Sequence, residues 1–117
     1  MIDSLLCTGF PYTVQTDGDY LLGLFGDFLK RARAVRRLGS AAIDLAYVAA
    51  GRFDGFWEVK LNPWDVSAGA LLIEEAGGQV STLAGGPFDS RLGEVVASNG
   101  PIHAEMVEII RARKRTD

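Results

Sequence analysis

Short apolar segments of strand length alternate along this chain with longer segments in which apolar residues recur at helical spacing. The strand-like segments are rich in β-branched and aromatic residues and are bounded by turn residues. Strands are predicted over 4–8, 34–37, 53–61, 79–82 and 94–98, and helices are predicted to begin at Asp17–Asp19, Gly39–Ser40, Pro63 and Pro101. This alternation predicts an α/β fold in which a sheet is layered with helices.

The helix that begins at Pro63 has the clearest boundaries and carries a carboxylate in its first turn. Proline suits the first helical position, where its missing N–H is no loss, and the Gly77-Gly78 pair suits a left-handed exit. A carboxylate at Asp65 interacts favourably with the positive end of the helix dipole, which helps to keep it ionised and able to bind a cation. The same residue can also serve only to support the helix start, so the sequence leaves both roles open.

Apolar spacing also predicts which side of each helix faces the core. The inward residues are expected to be Leu21, Leu24, Phe25, Phe28 and Leu29 in the first helix, Ile43, Tyr47 and Ala50 in the second, Val66, Ala70, Ile73 and Ala76 in the third, and Ile102, Met106, Ile109 and Ile110 in the last. The chain has one histidine, His103, which excludes a two-histidine metal site. At the start of the last helix, this histidine is expected at the surface.

The composition predicts one ordinary globular domain spanning residues 1–117. Of its residues, 48% are hydrophobic and 23% are charged, which suits a chain that buries a core. The formal net charge of −3 argues against a nucleic-acid partner, since nucleic-acid binders are usually basic over a whole face. The single cysteine, Cys7, is expected to be buried and structural. With no apolar run of about eighteen residues, the chain is expected to be cytoplasmic and without a membrane partner.

Two long motifs identify a family resemblance. The run RRLGSAAIDLAYVAAGRFDGFWE spans residues 36–58, and PWDVSAG spans residues 63–69. Together they resemble the C-terminal half of the inositol monophosphatase family, and the likeness extends from Leu5 to His103. The resemblance implies the C-terminal layered α/β portion of the sugar phosphatase fold, with a mixed sheet packed between helices.

The resemblance also implies roles for five residues. Gly39, Ser40 and Ala41 match the segment that lies against the inositol ring, although Ser40 can also be a plain N-cap. Glu58 matches a carboxylate that accepts hydrogen bonds from substrate hydroxyls, although an acidic residue in a strand is often only its solvent-facing alternate. Asp65 matches a metal ligand. Arg36, Arg37 and Lys60 are further candidates for phosphate binding.

The N-terminal half of this family carries an Asp-Pro-Ile/Leu-Asp-Gly-Thr motif and an upstream glutamate, which supply most magnesium ligands and help to activate water. The only Asp-Gly pairs in this sequence are Asp17-Gly18 and Asp54-Gly55, and neither has the flanking residues of that motif. The resemblance therefore implies Mg²⁺ as cofactor and Li⁺ as inhibitor of a complete site, with the catalytic residues outside this chain. We expect this polypeptide alone to be inactive or nearly so.

Three functions remain open at this level. The first is the substrate-binding half of an inositol monophosphatase-like phosphatase, whose substrate is a phosphorylated polyol. The second is a non-catalytic interaction or regulatory module that retains the fold. The third is a related phosphatase acting on fructose bisphosphate or a phosphoadenosine nucleotide. In each case we expect apolar surface covered by an N-terminal half or another chain, and a homo-oligomer.

Overall fold

The computed structural model describes residues 1–11 and 14–113, with side chains for 1–11 and 18–113. Five strands form one mixed sheet, and four α-helices and a short 3-10 helix at Ser90–Leu92 complete the described chain. The strands are β1 (Leu5–Thr8), β2 (Ala34–Arg36), β3 (Gly55–Glu58), β4 (Gln79–Ser81) and β5 (Val95–Ser98), and the helices are α1 (Val14–Leu29), α2 (Ala41–Ala49), α3 (Pro63–Glu75) and α4 (His103–Ala112). No helix in these ranges is long and apolar enough to span a membrane.

The sheet has the strand order β2-β1-β3-β5-β4. Strand β1 is parallel to both β2 and β3, because α1 and α2 carry the chain back to the starting edge before each new strand. Strand β5 runs antiparallel to β3 and β4. The carboxyl ends of β1, β2 and β3 therefore meet at one edge of the sheet.

Both faces of the sheet are covered by helices, as the sequence predicted. Successive residues of a strand point to opposite faces, so Leu6 and Trp57 join the cluster beneath α1 and α4, while Cys7 and Phe56 join the cluster beneath α2 and α3. On the first face, the rings of Phe28 and Trp57 stack with their centroids 4.1 Å apart. The core is thus two apolar layers on either side of one mixed sheet.

The ends of several elements differ from the sequence prediction. Helix α1 begins at Val14, before the predicted start at Asp17–Asp19, and the side chain of Asp17 lies outside the described residues. Strand β3 is shorter than the predicted 53–61, because the backbone turns at Lys60 with a φ of 58°. The two glycine exits are as expected, with φ of 82° at Gly51 after α2 and 85° at Gly77 after α3.

The inward face predicted for α2 is wrong. Ile43 is 49% exposed and Tyr47 38% exposed, while Leu45 and Val48 are buried. The helix packs through the side that carries Leu45, because Gly69 of α3 has no side chain there. A Cβ added to Gly69 would lie only 2.5 Å from the Leu45 Cβ. In the same way Leu29 of α1 and Ala76 after α3 are exposed, although their spacing suggested burial.

The prediction that His103 lies at the surface is also wrong, because the ring is buried in a hydrogen-bond network. Ser81 Oγ donates to the Thr82 carbonyl at 2.9 Å, so it accepts from His103 Nε2–H at 2.8 Å. Ser98 Oγ accepts from the Gly100 N–H at 3.1 Å and lies 2.9 Å from His103 Nδ1, to which its hydroxyl donates. The neutral Nε2–H tautomer thus satisfies every group of the network.

The buried carboxylate of Asp44 is an exception within the core. The residue is 1% exposed, and neither side-chain oxygen has a hydrogen-bond partner among the described residues. Burial raises the pKa of Asp44 to about 6 because a charged carboxylate is poorly solvated there. Such a group costs stability, and α2 nevertheless carries it in its first turn.

The His103 network predicts a loss of stability in acid. Burial holds the pKa of His103 in the folded protein below its value in the unfolded chain. The neutral ring therefore stabilises the fold fully at a pH above the unfolded pKa, and this stabilisation is lost as the pH falls through the folded pKa. The free energy of unfolding measured in urea should fall between about pH 7.5 and about pH 5, and the fall should be smaller in His103→Gln. An equal decline in the variant would contradict the buried neutral ring.

The buried carboxyl of Asp44 predicts the opposite dependence of stability on pH. The pKa of Asp44 in the folded protein is above its value in the unfolded chain. The protonated carboxyl therefore contributes stability that is complete in acid and is lost as the pH rises through about 6. Asp44→Asn should remove a decline in unfolding free energy on the order of 2 kcal/mol between about pH 4 and pH 7. Glu108→Gln, on the exposed side of α4, is the matched control and should keep the wild-type slope. An unchanged slope in Asp44→Asn would show that this carboxylate is not desolvated.

Candidate functional site

A pocket of about 250 Å³ opens at the sheet edge where β1, β2 and β3 end. Strands β1 and β2 lead directly into the lining residues Gly9 and Arg37, β3 ends in Glu58, and the start of α2 adds further lining residues. The lining residues are Gly9, Phe10, Arg37, Leu38, Gly39, Ala41 and Glu58. The parallel alignment of the three strands is what brings these segments together, as expected for ligand sites in α/β folds.

Glu58 supplies the carboxylate of the pocket. It is the last residue of β3, where Trp57 pairs with Thr8 of β1, so it lies beside the residue that follows β1. Its pKa is raised to about 7, mainly by burial and further by the negative charges of Asp44 and Asp65, while Arg37 opposes the shift. A partly buried carboxylate of this kind can accept hydrogen bonds from hydroxyl groups, with little competition from water.

Arg37 supplies a cation in the lining of the pocket. Its guanidinium lies over the ring of Phe10, 4.4 Å from the ring centroid, and Phe10 packs in turn against Phe25 with centroids 5.9 Å apart. Among the three basic candidates of the sequence, the described pocket contains Arg37 and neither Arg36 nor Lys60. The pocket therefore contains one negative and one positive side chain.

The Gly39-Ser40-Ala41 segment turns into α2 at the pocket wall. Gly39 has a φ of 87°, a left-handed conformation that favours glycine. Ser40 is the N-cap of α2, and its hydroxyl accepts from the Ile43 N–H at 3.4 Å. Gly39 and Ala41 line the pocket and Ser40 does not, so the structure gives Ser40 the capping role that the sequence also allowed.

Asp65 lies at the third position of α3, outside the pocket lining. Its Oδ2 accepts from the Asn62 N–H at 2.9 Å, which supports the start of the helix. Its charge also acts on Glu58, so the two carboxylates belong to one electrostatic neighbourhood. The helix-start role is observed, and a metal role would use the carboxylate in addition.

The described residues do not form a complete metal site. Within residues 1–11 and 18–113, no three histidine, cysteine, aspartate or glutamate side chains cluster closely enough to hold an ion. Divalent magnesium takes about six oxygen ligands, several of them water, and is usually held by one or two carboxylates together with substrate phosphate. Asp65 alone would be a weak anchor, so any magnesium bound here needs ligands from elsewhere.

Cys7 lies in β1 and is buried. Its Sγ donates to the Gly55 carbonyl at 3.6 Å. Burial raises the pKa of the thiol, and the charges of Asp44 and Glu58 raise it further, so the nucleophilic thiolate is disfavoured. The structural role expected for this cysteine agrees with these contacts.

Gly9, Phe10 and Asp44 are parts of this neighbourhood that the sequence did not single out. Gly9 and Phe10 follow β1 directly, and their position at the carboxyl end of a parallel strand was the available signal. Asp44 carries no local signal, because an acidic residue in the first turn of a helix is ordinary. Its burial depends on how α2 packs against the sheet.

Comparisons with known proteins agree with this geometry. The relative named putative Nus factor SuhB, from Neisseria meningitidis, is 45% identical over 108 residues, which are 92% of this chain and 41% of that protein. The inositol-1-monophosphatase of Caulobacter vibrioides is 40% identical over 111 residues, or 94% of this chain and 43% of that protein. The solved inositol monophosphatase of Anabaena superposes with a TM-score of 0.92 at 41% identity, covering 97% of this chain and 47% of that one.

The chain spans less than half the length of these relatives. The residues that carry the resemblance, from the RRLGSAA segment to the PWD segment, lie within the matched range. The model of the family described as "Inositol monophosphatase family" matches residues 3–115, and the chain therefore belongs to the inositol monophosphatase family.

Proposed function

We propose that this chain is the substrate-binding portion of a magnesium-dependent phosphatase that hydrolyses the phosphate monoester of an inositol-like polyol. The observation that carries the proposal is the convergence of Glu58, Arg37 and the start of α2 on one pocket. Residues as far apart in sequence as Gly9 and Glu58, which are separated by 49 positions, meet there because three parallel strands end together. Family membership supports the reaction class.

In this proposal, the residues of the chain bind and orient the alcohol part of the substrate. The Glu58 carboxylate accepts hydrogen bonds from two vicinal hydroxyls, which is a good geometric match for a polyol. The backbone at Gly39 and Ala41 approaches the ring closely, since neither residue has a bulky side chain. Arg37 contributes positive charge near Glu58, which attracts an anionic substrate to the pocket.

The proposed role of Asp65 is to supply one ligand of a magnesium ion. A bound magnesium ion supplies an activated water and stabilises the charge that develops on the leaving oxygen. The described residues do not complete such a site, so the water-activating residues are proposed to come from polypeptide that this chain does not contain. The chain alone is then inactive or nearly inactive.

The helical layer formed by α2 and α3 is proposed as the surface that such a polypeptide, or a second copy in a homo-oligomer, covers. Its outer side exposes large apolar side chains: Ile43 is 49% exposed, Leu71 58%, Leu72 51% and Trp64 76%. Exposed apolar patches often mark surfaces that bind another chain. We therefore propose that the active form is an assembly larger than this chain.

A regulatory module that retains the fold is the second candidate. The observation in its favour is that several relatives of this chain are named Nus factor, including those of Neisseria meningitidis and Escherichia coli. A phosphatase acting on fructose bisphosphate or a phosphoadenosine nucleotide is a further alternative for the substrate. The Gly39-Ser40-Ala41 segment and Glu58, which resemble the inositol-contacting residues of the family, favour an inositol-like alcohol over these.

The proposed function predicts that phosphate release from inositol 1-phosphate requires magnesium and a complementary N-terminal-half polypeptide. The reconstituted sample should lose more than roughly 100-fold in kcat/KM on Asp65→Asn, since even an outer partner of a metal ligand matters by 10–100-fold. Asparagine keeps an oxygen that can accept from the Asn62 N–H, so the start of α3 should survive. Phosphate release is followed with and without the second polypeptide.

Ser67→Ala is the matched control, because Ser67 is exposed on α3 and its hydroxyl donates only to the Pro63 carbonyl among the described contacts. It should keep activity within about twofold, as is usual for an exposed site. An assembled but inactive wild-type sample would reject the phosphatase proposal and favour the regulatory one. Equal loss in both variants would show that the helix start, and not a metal ligand, was disturbed.

A further inference from the structure

The carboxylate of Glu58 lies directly against the backbone of Gly9. A Cβ placed on Gly9 would overlap Glu58 Oε1, and it would stand 2.9 Å from Cδ and 3.3 Å from Oε2. Oε1 and the carboxyl carbon thus lie in the space that a Cβ at position 9 would occupy, and Oε2 would be in tight contact with it. The glycine makes room for the whole carboxylate group.

The restriction at Gly9 is spatial and not conformational. Gly9 does not have a positive φ, so alanine can adopt its backbone conformation. The three atoms nearest to an alanine Cβ at this position all belong to the Glu58 side chain. The two residues are coupled by packing alone.

The backbone on which Gly9 stands is held firmly at the sheet edge. Thr8 is 1% exposed and pairs with Trp57, and its Oγ1 donates to the Trp57 carbonyl at 2.6 Å. This bond joins the last residue of β1 to the residue before Glu58. The distance between Gly9 and Glu58 is thereby fixed by two strands and not by loop flexibility.

The next residue of the loop supports the other charged group of the pocket. Phe10 provides the ring over which the Arg37 guanidinium lies at 4.4 Å. One short segment, Gly9–Phe10, therefore contacts both the carboxylate of Glu58 and the guanidinium of Arg37.

We propose that Gly9 is a positioning residue for Glu58, and that its missing side chain lets the carboxylate lie at the depth from which it meets the hydroxyls of a polyol. This inference rests on the proposed substrate role of Glu58. Any side chain at position 9 would displace the carboxylate, and the close-packed interior leaves the open pocket as the space into which it moves. The pocket would keep its fold and lose its acceptor.

The direct test is the carboxyl ¹³C titration of Glu58 in glutamate-labelled protein, with the signal assigned by its loss in Glu58→Gln. Gly9→Ala should lower the titration midpoint of Glu58 by about one unit, because the displaced carboxylate is better solvated. Gly26→Ala is the matched control, since a Cβ on Gly26 meets nothing within 4 Å. It should leave the midpoint unchanged.

Thermal unfolding distinguishes a displaced Glu58 side chain from a loss of the fold in Gly9→Ala. Glu58 is a flexible side chain that can move aside, so the Tm of Gly9→Ala should stay within about 4 °C of wild type. If Gly9→Ala does not fold, Gly9→Ala with Glu58→Ala should fold, because the obstructing carboxylate is gone. An unchanged Glu58 midpoint in folded Gly9→Ala, or failure of both variants to fold, would overturn the proposal.

A kinetic readout separates this inference from the proposed function. In the reconstituted enzyme, Gly9→Ala should raise KM for inositol 1-phosphate by about tenfold or more and change kcat less, as expected for lost substrate binding. Without phosphatase activity, the shifted Glu58 midpoint would still establish the positioning. Unchanged KM alongside a shifted midpoint would overturn the functional part of the inference.

Discussion

The parallel pairing of β1 with β3 is the constraint on which the rest of the structure depends. Because the two strands end at the same edge, Gly9 and Glu58 lie side by side. The Thr8 hydroxyl joins the two strand ends by donating a hydrogen bond to the Trp57 carbonyl. Helix α2, which connects β2 to β3, begins at the same edge, so its first residues complete the pocket. The site follows from the order and direction of three strands.

The same edge gathers negative charge, at a cost in stability. Glu58 and Asp44 both have a raised pKa because they are buried, and Asp44 has no hydrogen-bond partner among the described side chains and backbone. A core optimised for stability alone would exclude such groups. Their presence beside a pocket fits the general observation that proteins violate folding rules at functional sites. The opposite face carries an ordinary apolar core, which holds the sheet in place.

Much of the fold could be read from the sequence, because its signals are local. Pro63 and Ser40 start helices through chemistry within one turn, and glycines end them through their backbone conformation. The mixed sheet with helices and the family were predicted correctly. The failures involve contacts between different elements. Ile43 is exposed because α2 packs on Gly69 of α3, and His103 is buried because it forms hydrogen bonds with Ser81 and Ser98. The role of Gly9 depends likewise on a residue 49 positions away.

The central claim is that the pocket at this sheet edge binds the polyol part of the substrate. Amide resonances of the ¹⁵N-labelled chain, followed while inositol 1-phosphate is added, test it most directly. The account predicts shifts at Gly9, Gly39, Ala41 and Glu58 that disappear in Glu58→Gln. Shifts centred instead on the far edge of the sheet, around Ser81 and Gly85, or no shift in the pocket at saturating ligand, would contradict it.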